Sequence, residues 1–342
     1  MTNRPGPVLV YCNTKTDLEK LRRILSAALP QTTIHFAASD EEADPYLPDA
    51  QVLYGWGFSG ELLHTMPNLR WVQKMGAGVD DIIGAWPLRG DVILTRTDGR
   101  LIARRMVEYV IGAILDRTAG LSQAREQQKH GVWNRYQPQT IADLTIGVAG
   151  LGEIGKEIAR SLQFLDARVI GWRRSQTSCD TVAEVYAGIE RLSAFIERCD
   201  VLVLVLPLTK QTKLIFDLNI LQRLRTGAHL INVGRGGVLD EQALLAAIDS
   251  GRVGHATLDV FESEPLPKQH PFWSNERITI TPHVCGPLLP EDVAPHFIEN
   301  YAAFADGRPL RNRIDVERQY CACSLISIRH PGSLGAFART SG

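Results

Sequence analysis

Residues 144–165, LTIGVAGLGEIGKEIARSLQFL, read as strand, turn and helix in immediate succession. Leu144 to Ala149 is an apolar run of strand length, and from Glu153 to Leu165 the apolar residues recur at helical spacing. Between them stand Gly150, Leu151, Gly152, Glu153, Ile154 and Gly155. A G-x-G-x-x-G pattern alone arises by chance in glycine-rich chains, but here a strand runs straight into it and a helix opens inside it. The first glycine permits the tight turn, the second lets the backbone approach a pyrophosphate, and the third lets helix pack on strand. The helix N-terminus turns partial positive charge toward the phosphates. The stretch therefore predicts an α/β fold with a dinucleotide site.

Upstream, Val8 to Tyr11 is a short apolar strand, and Leu18, Leu21, Ile24, Leu25 and Leu29 follow at helical spacing as far as Pro30. Strand-like runs recur at Ile34 to Ala37, Ala50 to Tyr54, Trp71 to Met75 and Val92 to Thr95, and ARRMVEYVIGAIL, 103–115, reads as one long, largely buried helix. Downstream strands appear at Arg168 to Trp172, Val201 to Leu206, His229 to Val233, Ala256 to Val260 and Ile278 to Thr281. Alternation of apolar strands with helices predicts doubly wound parallel sheets in two α/β units. Helical periodicity returns at Glu291 to Phe304, late enough to cross back onto the first unit. The expected organisation is a discontinuous substrate domain, 1–102 with 287–320, and a nucleotide-binding Rossmann domain, 103–286, with a cleft between them. Residues 321–342 mix Ser, Gly, Pro and Arg without period and read as a poorly ordered tail.

The bulk numbers exclude several classes. Across 342 residues, 37 basic and 38 acidic side chains nearly cancel, so no general field draws the chain to nucleic acid or to an anionic membrane. Its longest apolar run is too short to span a bilayer and Met1 to Pro7 lacks a signal-peptide core, which predicts a cytoplasmic protein. Six scattered cysteines read as reduced thiols. Cys321 and Cys323 have only His330 nearby, so no metal is expected.

At the end of the second strand of the nucleotide unit, a carboxylate would ordinarily hold the ribose hydroxyls of NAD. The sequence instead runs Trp172, Arg173, Arg174, Ser175. Two guanidiniums and a hydroxyl suit a 2′-phosphate, so NADP(H) is the expected cofactor, with NAD(H) left open.

Three later strand ends carry the groups that hydride transfer to a 2-oxo acid demands, a cation for carboxylate and carbonyl and a proton donor for the new hydroxyl. Arg235 stands among glycines after one strand, the carboxylates Asp259, Glu262 and Glu264 follow the next, and His283 follows the third. Together with GLGEIG, the strings INVGRGGVLDEQAL, LDVFESEPLP and TPHV resemble the D-2-hydroxyacid dehydrogenase family over roughly residues 1 to 320. The resemblance implies that Arg235 binds the substrate carboxylate and polarises the carbonyl, that His283 delivers the proton and that Glu264, rather than Glu262, holds the imidazole. It implies that Asp259 accepts from the nicotinamide carboxamide, and that Leu206, Pro207, Thr212, Val233, Gly234 and Gly286 join the cofactor site.

In the first unit, Lys74-Met-Gly76-Ala77-Gly78-Val-Asp80 resembles the family's substrate loop, whose exposed N–H groups receive the carboxylate opposite Arg235. Met106-Val-Glu108-Tyr109, Trp133 and Trp56 favour the glyoxylate/hydroxypyruvate reductase A type. Trp56 and Trp133 are each either a pocket wall for a short substrate or core, Trp133 reaching across a homodimer in the first case. Cys285 and Gly286 depart from the small residues common beside the histidine. The competing functions are an NAD-dependent dehydrogenase of another 2-hydroxy acid such as phosphoglycerate, a formate dehydrogenase, and a non-catalytic nucleotide-sensing corepressor of the same fold.

Overall fold

The computed structural model describes residues 6–86, 90–174 and 179–316, together with the backbone of Tyr320–Cys321. Ser175 and residues 322–342, with Cys323 and His330, lie outside the described residues.

Two parallel sheets form. The first holds β1 (Val8–Cys12), β2 (Ile34–Ala37), β3 (Val52–Trp56), β4 (Trp71–Lys74) and β5 (Ile93–Arg96) in the order β2-β1-β3-β4-β5. The second holds β6 (Thr145–Ala149), β7 (Arg168–Arg173), β8 (Glu184–Ala187), β9 (Val201–Leu204), β10 (Ala228–Asn232), β11 (Val253–Leu258) and β12 (Ile278–Ile280), in the order β12-β11-β10-β9-β6-β7-β8. All of these pairings are parallel. Counted from β6, the second order reverses between its first and fourth strands, and in open α/β sheets ligands settle at such a reversal, beyond the carboxyl ends. The first sheet reverses between β1 and β3, whose last residues Cys12 and Trp56 are register partners. Each sheet thus offers one crevice, and both crevices open on the same cavity.

The inner strands β1, β4, β6, β9, β10 and β11 are buried on both faces because helices cover both, which is why they read as unbroken apolar runs. The helix Pro290–Ala305 returns to the first sheet, where Val293, Phe297 and Tyr301 join Val8, Val10, Tyr54 and Trp71 in one core. Phe297 stacks on Tyr54 at 4.1 Å and on Trp71 at 5.3 Å. Burying such a ring stabilises by about 1.5–3 kcal/mol, so the late helix is integral to the early sheet. The connecting helix Arg100–Thr118 is longer at both ends than its apolar run and contributes Ile102, Met106 and Val110 to the core of the second sheet. Among the described residues no helix is long and apolar enough to cross a membrane.

At the amino ends of β10 and β11, His229 and His255 are buried side by side, with ring centroids 5.4 Å apart. His229 Nε2 lies 2.9 Å from Thr257 Oγ1 and His255 Nε2 lies 3.0 Å from Thr279 Oγ1. Burial, and then the neighbouring charge of Arg117, pulls His255 down to about 4, and burial pulls His229 well below the ordinary range. Both therefore fold in their neutral form. As pH falls below about 6.5 the unfolded chain takes up protons that the folded chain refuses, so stability is lost between about 6.5 and 4, by at most about 3 kcal/mol for His255. Thermal melting followed across that range should steepen toward acid, and His255→Gln should flatten the slope. An unchanged slope in the variant would assign the acid sensitivity elsewhere.

Candidate active site

A cavity of about 530 Å³ lies between the sheets. Its nucleotide side is built by the turn after β6. Gly150 has φ +110, and a Cβ there would stand 2.4 Å from the Val205 carbonyl. A Cβ on Gly155 would stand 1.8 Å from the Gly150 carbonyl, so only glycine lets the helix Glu153–Gln163 sit this close to its strand. That helix has no side-chain cap at Gly152, whose own Cβ position faces open space, and its first N–H groups are left for a ligand. The cradle fits a dinucleotide pyrophosphate. Gly152 to Gly155, Leu206, Pro207, Val233, Gly234 and Gly286 all line the cavity, whereas Leu151 is buried behind the turn. Thr212 is also buried, with Oγ1 donating to the Pro207 carbonyl at 2.6 Å and accepting from Thr209 N at 2.8 Å. It holds the 207–212 loop in place.

Arg173 ends β7 and Arg174 follows, its Nη1 donating to Gln211 Oε1 at 2.7 Å. This places Arg174 beside the 206–212 loop, and neither arginine lines the cavity.

In the same sheet, β10 ends in Asn232, whose Oδ1 accepts from Gly234 N and whose Nδ2 donates to the Arg235 carbonyl, each at 3.1 Å. Those bonds fold the chain so that Arg235 enters the cavity opposite Gly76, Ala77 and Gly78. Arg235 Nε donates to Asp80 Oδ1 and Oδ2 at 2.9 and 3.1 Å, and Nη1 donates to the Gly234 carbonyl at 2.9 Å. Arg96 braces the same loop by donating to the Ala77 carbonyl. The motif reading did not single out Asp80 or Arg96 for a role, since neither contact has a local signature in the sequence.

His283 lines the cavity with φ +53, a left-handed backbone uncommon outside glycine that marks a residue held by its surroundings. Its Nδ1 lies 2.7 Å from Glu264 Oε2, while Glu264 Oε1 accepts from Phe261 N at 3.0 Å. Of the two carboxylates weighed above, Glu264 is the one in contact, and Glu262 N donates instead to Glu241 Oε1. Asp259 is fully buried beneath the loop: Oδ1 accepts from Thr281 Oγ1 and Val284 N, Oδ2 from Cys285 N, and its carbonyl from His283 N. In this arrangement it braces the histidine loop. Tyr109, at 2.7 Å from Thr281 Oγ1, extends the chain of bonds to the connecting helix, and burial pushes its hydroxyl up to about 12. Burial, and then the Asp259 carboxylate beside it, likewise pushes the Cys285 thiol up.

Trp56 is the last residue of β3, 38% exposed, and lines the cavity above Gly76, where a Cβ would meet its ring at 2.5 Å. Lys74 lies fully buried behind it, its Nζ paired with Asp81 and 5.3 Å from the Trp56 ring centroid, and burial lowers its ammonium's proton affinity. Trp133 is 92% exposed and belongs to neither cavity nor core of this chain.

Residues 111–285 match the family described as D-isomer specific 2-hydroxyacid dehydrogenase, NAD binding domain. The chain is 36% identical over 270 residues, 78% of its own length and 86% of the relative's, to a glyoxylate/hydroxypyruvate reductase A of Yersinia enterocolitica serotype O:8. The chain belongs to the D-isomer specific 2-hydroxyacid dehydrogenase family. It is accordingly an NAD(P)-dependent oxidoreductase, and its two parallel sheets are the two-domain architecture of that family. Among solved structures, the NADPH-dependent glyoxylate/hydroxypyruvate reductase of Sinorhizobium meliloti, determined with NADP and sulfate, is similar at TM-score 0.85 and 31% identity, covering 92% of this chain and 100% of that one. An enzyme of Xanthobacter autotrophicus Py2, determined with NADPH and MES, reaches TM-score 0.83 at 32% identity, again covering 92% and 100%.

Proposed function

We propose that the protein reduces a short 2-oxo acid, glyoxylate or hydroxypyruvate, to the 2-hydroxy acid with NADPH. The observation that carries this reading is the placement of Arg235 and the Glu264-held His283 on one cavity with the Gly76–Gly78 loop and the glycine cradle. Held in that cradle, a reduced nicotinamide would supply hydride to the carbonyl carbon. Arg235 and the loop N–H groups receive the substrate carboxylate, and the arginine draws electron density toward the carbonyl oxygen. His283, with Nδ1 engaged by Glu264, keeps Nε2 for handing a proton to that oxygen. Trp56 caps the space above Gly76 and limits the substrate to a short chain. The relatives named for glyoxylate and hydroxypyruvate support the substrate class.

Residues 1–102 with 287–320 form the substrate lobe and 103–286 the nucleotide lobe in this reading, supported by the separate sheets and by the return of the helix Pro290–Ala305 to the first. A homodimer belongs to the same reading, with a second copy covering Trp133, which is 92% exposed. The free thiols of Cys12, Cys179, Cys199 and Cys285 accord with the cytoplasm.

Loss of NADPH absorbance on adding glyoxylate, compared across a panel of 2-oxo acids with both cofactors, tests the activity; no turnover with any of them would point to the nucleotide-sensing alternative. Cofactor choice rests on Arg173 and Arg174, and on relatives determined with NADP or NADPH. Charge-assisted contacts are worth about 1.5–3 kcal/mol each, so a preference of at least about tenfold for NADPH is expected. Arg173→Asp should abolish or invert it. Equal kcat/KM for the two cofactors in the unmodified enzyme would overturn the NADP reading.

A further inference from the structure

We infer that Asp80 is a positioning residue for the reaction, holding the Arg235 guanidinium in the one orientation from which it can address substrate carboxylate and carbonyl together. The inference rests on the reading of Arg235 given above and deepens it. A guanidinium has five N–H donors in a rigid fork. Here Nε–H is shared between both oxygens of Asp80 and one Nη1–H goes to the Gly234 carbonyl. The remaining three donors, one on Nη1 and two on Nη2, form the edge left for a ligand. Nη2 lies where a Cβ on Gly78 would come within 1.7 Å, directly beneath the substrate loop.

The two anchors come from opposite sides of the cavity. Gly234 follows β10, while Asp80 follows β4 at the start of the short helix Asp80–Ile83, 155 residues from Arg235 in sequence. Held from the nucleotide side alone, the long side chain would swing about its own bonds, and its contact with a developing alkoxide would be intermittent. Gripped at Nε as well, it is pre-organised before substrate arrives, and orientation fixed in advance lowers the barrier to the chemical step. The neighbouring acid has different work, since Asp81 is tied to buried Lys74.

Asp80 also neutralises part of the charge that would attract a carboxylate. It therefore sharpens the transition state more than it strengthens ground-state binding, and its loss should show in kcat rather than KM. The expected fall is on the order of 10–100-fold in kcat for Asp80→Ala and less for Asp80→Asn, whose amide oxygen can still accept from Nε, with KM for glyoxylate unchanged or lower.

The test compares wild type, Asp80→Asn, Asp80→Ala, Arg235→Lys and the double variant Asp80→Ala/Arg235→Lys by steady-state kinetics and by single-turnover oxidation of bound NADPH with glyoxylate. The single-turnover rate constant should fall while its amplitude stays at the wild-type value, and in the Arg235→Lys background, which has no Nε to grip, Asp80→Ala should add little. Normal kcat in both Asp80 variants, or fully additive losses in the double variant, would overturn the inference. So would a lowered amplitude at a wild-type rate constant, because that marks a folding lesion. Should Asp80→Ala not fold, Asp80→Asn carries the comparison against Arg235→Lys. A wild type inert toward 2-oxo acids removes the parent reading and this one with it, whereas an active, Arg235-dependent wild type with normal Asp80 variants removes this one alone.

Discussion

His283→Gln is expected to lower kcat for 2-oxo acid reduction by about 10²–10⁴-fold while leaving NADPH binding largely intact. Glutamine keeps much of the size and one donor, so it can still touch Glu264 and the substrate oxygen, but it has no transferable proton. The glycine cradle is built by the turn after β6, a different strand end from the one that carries His283, which is why the cofactor should still bind. His283 also sits at φ +53, a backbone region that asparagine tolerates better than glutamine. His283→Asn is therefore the companion variant: if both lose turnover to the same degree, the missing proton is responsible rather than a loop that has relaxed. Near-normal turnover in either would hand the proton to another group.

Arg235→Ala is expected to reduce kcat/KM by at least about 10³-fold, with KM raised and kcat lowered together. Both constants suffer because the arginine meets the carboxylate before and during the reaction and the carbonyl oxygen only during it. A second cause adds to the first. Asp80 is about three-quarters buried and its carboxylate is paired with Arg235, so truncating the arginine leaves a bare negative charge beside the place where another carboxylate must bind. Alanine thus removes an attraction and uncovers a repulsion, and Arg235→Lys should be the milder lesion. Unchanged KM for glyoxylate in Arg235→Ala would show that the carboxylate is bound elsewhere.

Much of this site was legible before any coordinates. The glycines of 150–155, the arginine among the glycines of 234–237 and the histidine after a strand each carry a local signature, because turn geometry and ligand approach restrict which residue types can stand there. The inner strands of both sheets were legible for a related reason: helices on both faces make them continuously apolar. What escaped had no such pattern. The helix Leu121–Lys129 buries none of its residues and so shows no apolar period, and β8 is a four-residue strand paired on one side only. The grip of Asp80 on Arg235 joins residues that are neighbours only because two sheets face each other, and the bonds of Asp259 to the histidine loop span more than twenty residues. Contacts of that kind are set by topology, which a one-dimensional pattern does not encode.

The return of the helix Pro290–Ala305 to the first sheet has a consequence for how the protein is made. The strands of that sheet are complete once Arg96 has been synthesised, yet of the two helices that share a core with Val8, Val10, Tyr54 and Trp71, Lys15–Ala28 is then already made and the other begins only at Pro290. At about 5–20 residues per second, translation of the intervening chain takes roughly 10–40 s. For that interval the nascent first lobe lacks the part of its cover that Val293, Phe297 and Tyr301 supply, leaving Tyr54 and Trp71 without the ring that stacks on them, while the second lobe, whose strands are consecutive, can already condense behind it. Chaperone demand during synthesis should therefore concentrate on the amino-terminal hundred residues, and the last long helix acts as the closing step of translation-coupled assembly.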